Sequence, residues 1–149
     1  METPLTNPMF MVSMLITLVA AVIALVNSTR QGAARIGRWL AISAVPGLLV
    51  LAAFYSLAIH MHWRLGGWPD FIGTNQLPRE LAVHAVASYW VFSGVLLLAL
   101  GMPLVLALYA LVPRLRTRMV HPAFCGVTCW LSLFLTALAP AGFQQWWWD

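Results

Sequence analysis

"WLAISAVPGLLVLAAFYSLAIHM", residues 39–61, contains no Asp, Glu, Lys or Arg. A helix needs about 20 predominantly apolar residues, rising 1.5 Å each, to cross the hydrocarbon core of a bilayer. The run is apolar throughout, without the in–out alternation of a barrel strand. Lipid offers no partner to an exposed backbone, so the run reads as a transmembrane helix. Pro46–Gly47 marks a plausible kink within it, where a neighbouring helix can satisfy the freed carbonyl.

Three more runs of the same kind flank it, at 9–26, 81–112 and 123–143. The chain is 62% hydrophobic and only 8% charged, and its mean hydropathy is +0.85. Soluble domains carry about 25% charged residues, so a water-facing surface cannot be built from this composition. The expected fold class is all-α, a four-transmembrane-helix bundle forming one integral membrane domain over residues 1–149. The 81–112 run exceeds one perpendicular crossing. It is expected to tilt, to project beyond the bilayer, or to bend at Pro103.

Charge sets the expected orientation. All eight basic residues are Arg. Arg30, Arg35 and Arg38 lie between spans one and two, and Arg114, Arg116 and Arg118 between spans three and four. Only Arg64 and Arg79 fall on the other side, with Glu2, Asp70, Glu80 and Asp149. The positive-inside rule then predicts both Arg turns inside, with both termini and the 62–80 loop outside. The six inner Arg are expected to anchor on lipid phosphates, and nothing in this pattern points to nucleic acid. The first span reads as a retained N-out helix: positive charge follows its apolar run, the reverse of a cleaved signal.

Small residues at helical spacing predict packing seams: Ser13, Thr17, Ala20 and Ala24 on the first span; Ala87, Val91, Gly94, Leu98 and Gly101 on the third; Cys125, Cys129, Ser132 and Thr136 on the fourth. Trp39 at the inner interface, and Trp63, Trp68, Trp146, Trp147 and Trp148 at the outer one, read as aromatic anchors.

Candidate chemistry gathers around "HMHWRLGGWPDFIGTNQLPRELAVH", residues 60–84, which holds three of the four histidines. His60 ends the second span, and His84 extends the small-residue seam of the third. The two are therefore expected at one depth, with His84 turned toward another helix. Facing imidazoles on two helices are what axial haem ligation or a copper site requires. The plainer reading is a pair of amphipathic side chains at a membrane surface, and it leads. His62 lies two residues from His60 and points nearly the opposite way, which excludes it from the pair. His121, ahead of Pro122, is expected to help end the inner Arg loop.

Cys125 and Cys129, at i and i+4, are too far apart for a disulfide and read as small packing residues. The acids form no acid–base pair, and no nucleophile constellation or phosphate-cradling loop is present. No ionisable residue lies near the middle of a span, which disfavours an ion-coupled carrier.

The outer loop adds a resemblance. "RLGGWP", Arg64, Leu65, Gly66, Gly67, Trp68 and Pro69, resembles the L-G-x-W-P element of a group of small multi-span bacterial membrane proteins. That likeness implies a bacterial cytoplasmic (inner) membrane and carries no catalytic residue with it. Physically, Gly66–Gly67 permits a sharp reversal, and Trp68–Pro69 lays an aromatic plate against the membrane surface or a docking partner. The leading expectation is a non-enzymatic membrane protein, an accessory subunit without a cofactor, embedded in lipid and joined to a membrane-protein partner or to its own copies. A haem b- or copper-binding redox subunit using His60 and His84 is the alternative, and a small transporter built around Pro46 and Pro103 the third.

Overall fold

A computed structural model describes residues 7–28, 33–69, 77–116 and 118–148, with backbone alone at 27–28, 33–36 and 38–39. Among the described residues every element is a helix: α1 Pro8–Ser28, α2 Ala33–Leu65, α3 Arg79–Leu111, α4 Pro113–Arg116, α5 Val120–Thr136 and α6 Ala141–Trp148. Three are long and apolar enough to cross a membrane, or four if the bent pair α5–α6 is one span. Pro46 and Pro103 both lie inside continuous helices. Near Pro46, the Thr128 hydroxyl donates to the Ser43 carbonyl at 2.8 Å and ties α5 to α2 one residue past the Ile42 carbonyl that the proline leaves without its helix partner.

α5 is the hub, and its largest contact is with α2. Two glycines permit the approach. A Cβ on Gly47 would stand 2.8 Å from the Thr128 carbonyl oxygen, and one on Gly126 would stand 2.5 Å from Thr17 Cγ2 and 2.6 Å from Met102 Cγ. The expected seams on α1 and α5 face the core: Ser13, Thr17, Ala20, Ala24, Cys129, Ser132 and Thr136 are buried. The expected α3 seam is not where α3 packs. Ala87, Val91 and Gly94 are exposed, and no atom lies within 4 Å of a Cβ built on Gly94 or Gly101. α3 instead turns Ser88, Phe92, Val95, Ala99, Met102 and Leu106 inward. Larger side chains on α3 fill the space that Gly126 leaves open on α5, so a seam of small residues on α3 is unnecessary there.

The 123–143 run is two helices, which corrects the expectation of one continuous span. α5 ends at Thr136, and α6 leaves at 113°. Tight backbone bonds close the turn, from Ala137 to Phe134, Leu138 to Leu135 and Ala139 to Thr136. Pro140 has no N–H with which to continue α5. Gln144 Nε2 donates to the Ala137 carbonyl at 2.5 Å and to the Ala139 carbonyl at 2.7 Å. These bonds satisfy acceptors that a broken helix would otherwise leave open.

Helix levels follow from the cross-helix bonds. Ser13 Oγ donates to Ala99 O at 3.3 Å, and Thr17 meets Met102 across Gly126, so α1 and α3 run in the same direction. The first residue of α1 thus stands level with about Gly94 of α3. Tyr55 Oη donates to Leu135 O at 2.7 Å, so α5 ends level with Tyr55 of α2. α5 is about 25 Å long and α1 about 31 Å, comparable to a hydrocarbon core of about 30 Å. Because Ser88 lies against Ala53, the end of α5 is level with about residue 86 of α3 and stands about 12 Å above the start of α1. Beyond the end of α5, α2 runs about another 15 Å and α3 about another 11 Å. The α2–α3 hairpin therefore projects past the other helices.

Candidate functional site

The projecting hairpin is held by a polar ladder. Ser56, His60 and Arg64 recur every fourth residue on α2, as do Glu80, His84 and Ser88 on α3, and antiparallel packing sets these rows face to face. At the tip Arg64 and Glu80 form an ion pair. One turn down, His60 Nδ1 and His84 Nδ1 are 3.0 Å apart, with ring centroids at 5.3 Å and planes tilted 42°. His84 Nε2 reaches Ser56 Oγ at 3.1 Å, and Ser56 Oγ itself donates to the Ala53 carbonyl at 3.1 Å. Ser88 Oγ closes the ladder on the same carbonyl at 3.0 Å.

The structure thus brings His60 and His84 together, both half-buried. His62 is elsewhere: its ring lies against Trp68, with centroids 4.4 Å apart. Gly66 ends α2 with φ +71°, a left-handed conformation that glycine adopts without a steric penalty. The chain then folds back so that Pro69 is buried. Trp68, expected flat on a membrane surface, stacks on the hairpin's own His62. Asp70 lies outside the described residues.

A haem does not fit this pair. Axial nitrogens on opposite sides of one metal stand about 4 Å apart, judged from metal–nitrogen bonds of about 2.0 Å. A porphyrin plate would also have to enter between two rings already in contact. Among the described residues no group of three or more His, Cys, Asp or Glu converges on one point.

The aromatic anchors separate into two kinds. Trp63, near the tip, is 82% exposed. Trp147, expected in an interfacial belt, is instead a core residue. It packs on Phe54 at 5.0 Å and Phe92 at 5.4 Å, because the break at Pro140 swings α6 across the bundle. Trp146 and Trp148 flank it half-buried, and with Tyr89, Trp90 and Ser93 of α3 they line a largely apolar groove of about 570 Å³. None of the residues singled out within 60–84 lines this groove. Its sequence mark is the aromatic pair Tyr89–Trp90 one helix away from "WWW".

At the opposite end Arg116 donates from Nε and Nη2 to the Ala110 carbonyl at 3.2 and 2.8 Å, capping α3. Arg114 and Arg118 are exposed. Arg30 lies outside the described residues, as do the side chains of Arg35, Arg38 and Trp39. His121, expected to help end the Arg loop, stands in the first turn of α5, where its Nδ1 meets Ser43 Oγ at 2.6 Å. Cys125 and Cys129 are free thiols, half-buried and buried.

Comparison of the chain with known protein families, with curated proteins and with solved structures gives no match.

Proposed function

We propose that the chain is a non-enzymatic accessory subunit in the cytoplasmic membrane of a bacterium, crossing it four times with both termini outside. Its α2–α3 hairpin then engages a membrane-protein partner at the outer surface. The observation that carries this reading is Trp63, 82% exposed near the tip of a hairpin that outreaches α1 and α5. A large indole held out in water is costly for an isolated protein, and Trp is enriched among residues that dominate interfaces. The "RLGGWP" turn supports it by folding Trp68 and Pro69 back onto the hairpin, which stiffens the surface that carries Trp63. The imbalance of Arg between the two ends supports the orientation.

The buried hydroxyls are all committed to backbone carbonyls. Ser13, Ser43 and Ser88 donate to a carbonyl of another helix, and Thr17, Ser132 and Thr136 to one of their own. The three cross-helix bonds are of the kind that joins helices in lipid, and they favour a scaffold over a carrier.

Purification in mild detergent followed by native mass measurement tests the proposal. A co-purifying membrane protein, depleted about tenfold or more by Trp63→Ala, is the expected result, on the scale of a typical interface hot spot. A solitary monomer under the gentlest extraction would overturn it.

A further inference from the structure

We propose that His60 and His84 form a two-imidazole site for a divalent late first-row cation, with Cu(II) bound most tightly. The Nδ1–Nδ1 distance of 3.0 Å is the central observation. Two nitrogens each about 2.0–2.1 Å from one ion stand about 2.9 Å apart at a right angle and about 3.3 Å apart at the tetrahedral angle. That separation is close to the bite of a cis pair. The ring centroids stand 5.3 Å apart, which puts both nitrogens on the line between the rings with their lone-pair directions facing each other. Each imidazole swings by about 40° for both to meet one ion, a side-chain movement that leaves the helices in place.

The surroundings favour the ligating tautomer of His84. Ser56 Oγ uses its own proton on the Ala53 carbonyl and so accepts from His84 Nε2 at 3.1 Å. With Nε2 protonated, Nδ1 of neutral His84 keeps its lone pair. A partner on the distal ring nitrogen is the usual way a metal-ligating histidine is oriented. His60 Nδ1 donates to His84 Nδ1 when no ion is bound. On binding, the His60 proton leaves Nδ1 and is carried on Nε2, freeing the second lone pair.

The remaining coordination positions fall to water, since no third side chain of the ligating types converges there among the described residues. The charges one turn above, Arg64 and Glu80, are paired with each other, so the site meets no net like-charge barrier. Imidazole suits copper, nickel and zinc, and the order of divalent affinities places Cu(II) first. Bound there, the ion would cross-link α2 to α3 beyond the other helices.

The test titrates purified full-length protein in detergent with Cu(II), followed by calorimetry and by electron paramagnetic resonance. One ion per chain and a spectrum with coupling to two imidazole nitrogens are expected. His60→Ala and His84→Ala should each weaken binding at least tenfold, and Ser56→Ala, a positioning change, about tenfold. His62→Ala should leave binding unchanged. Should the alanine variants fail to fold, His60→Gln serves, because its amide can bond His84 Nδ1 yet is a poor copper ligand. A folded His60→Gln that binds copper as the parent does would overturn the proposal. So would binding that survives both alanine variants, binding lost only in His62→Ala, or a parent protein that ignores a twofold excess of copper.

Discussion

Two glycines of the same helical kind differ in what their missing Cβ permits. At Gly47 the space belongs to the Thr128 carbonyl, a backbone atom that cannot turn aside. Gly47→Val should therefore push α2 from α5 and lower stability by about 1–3 kcal/mol. At Gly94 the same space is open, and Gly94→Ala should be neutral or stabilising by up to about 1 kcal/mol through helix propensity. Thermal unfolding of both variants in one detergent checks the pair; equal losses would mean that α3 packs through Gly94 after all. The sequence places the His60–His84 pair by spacing, because both residues flank one turn and antiparallel helices match residues at equal distances from it. The same arithmetic reaches Arg64–Glu80 and Ser56, four residues further along each helix. An acid and an Arg near a helix end read as ordinary surface charge, which hides that pairing in the sequence. Gly94 misled for the opposite reason: small residues at helical spacing show where close approach is possible, not where it occurs.

At the scale of elements, three aromatic residues in a row carry no information about which will be buried. Helix geometry turns successive residues by 100°, so one of the three is buried while its neighbours reach the same core from the sides, as Trp148 does at Phe92. The break at Pro140 decides that it is Trp147. Trp147→Ala should remove the contacts with Phe54 and Phe92 and cost about 3–5 kcal/mol, in the range of large-to-small core changes. Trp63→Ala, exposed near the hairpin tip, should stay within about 0.5 kcal/mol. Melting followed by circular dichroism separates the two, and similar losses would show that α6 does not dock as described. The α5–α6 break was itself legible in "TALAPAG", residues 136–142, where Pro140 and Gly142 interrupt the apolar run. Hydropathy alone ran through it, because the residues on both sides are apolar and the length came out right for a span.

At the scale of the molecule, the decisive quantity is the mismatch of helix lengths. α2 and α3 each have 33 residues, about 50 Å, while α5 has 17. A bilayer whose core matches α1 and α5 leaves the hairpin above them, with the ladder from Ser56 to Arg64 in or above the headgroups. Apolar residues continue into this projection because Leu57, Met61 and Leu81 are buried within it. Cysteine labelling tests the placement in a background with Cys125 and Cys129 replaced. Single cysteines at positions 63 and 83 should react with an impermeant maleimide added from outside sealed cells, and one at 118 only after permeabilisation. A cysteine at 48, where Leu48 is 62% exposed on the face of α2 within the slab, should stay unreacted from either side because lipid covers it. Position 83 discriminates most sharply, since it lies only about three residues, or about 5 Å, beyond the level at which α5 ends. Reaction at 63 without reaction at 83 would mean that the membrane climbs the hairpin, and labelling of 118 from outside would invert the orientation.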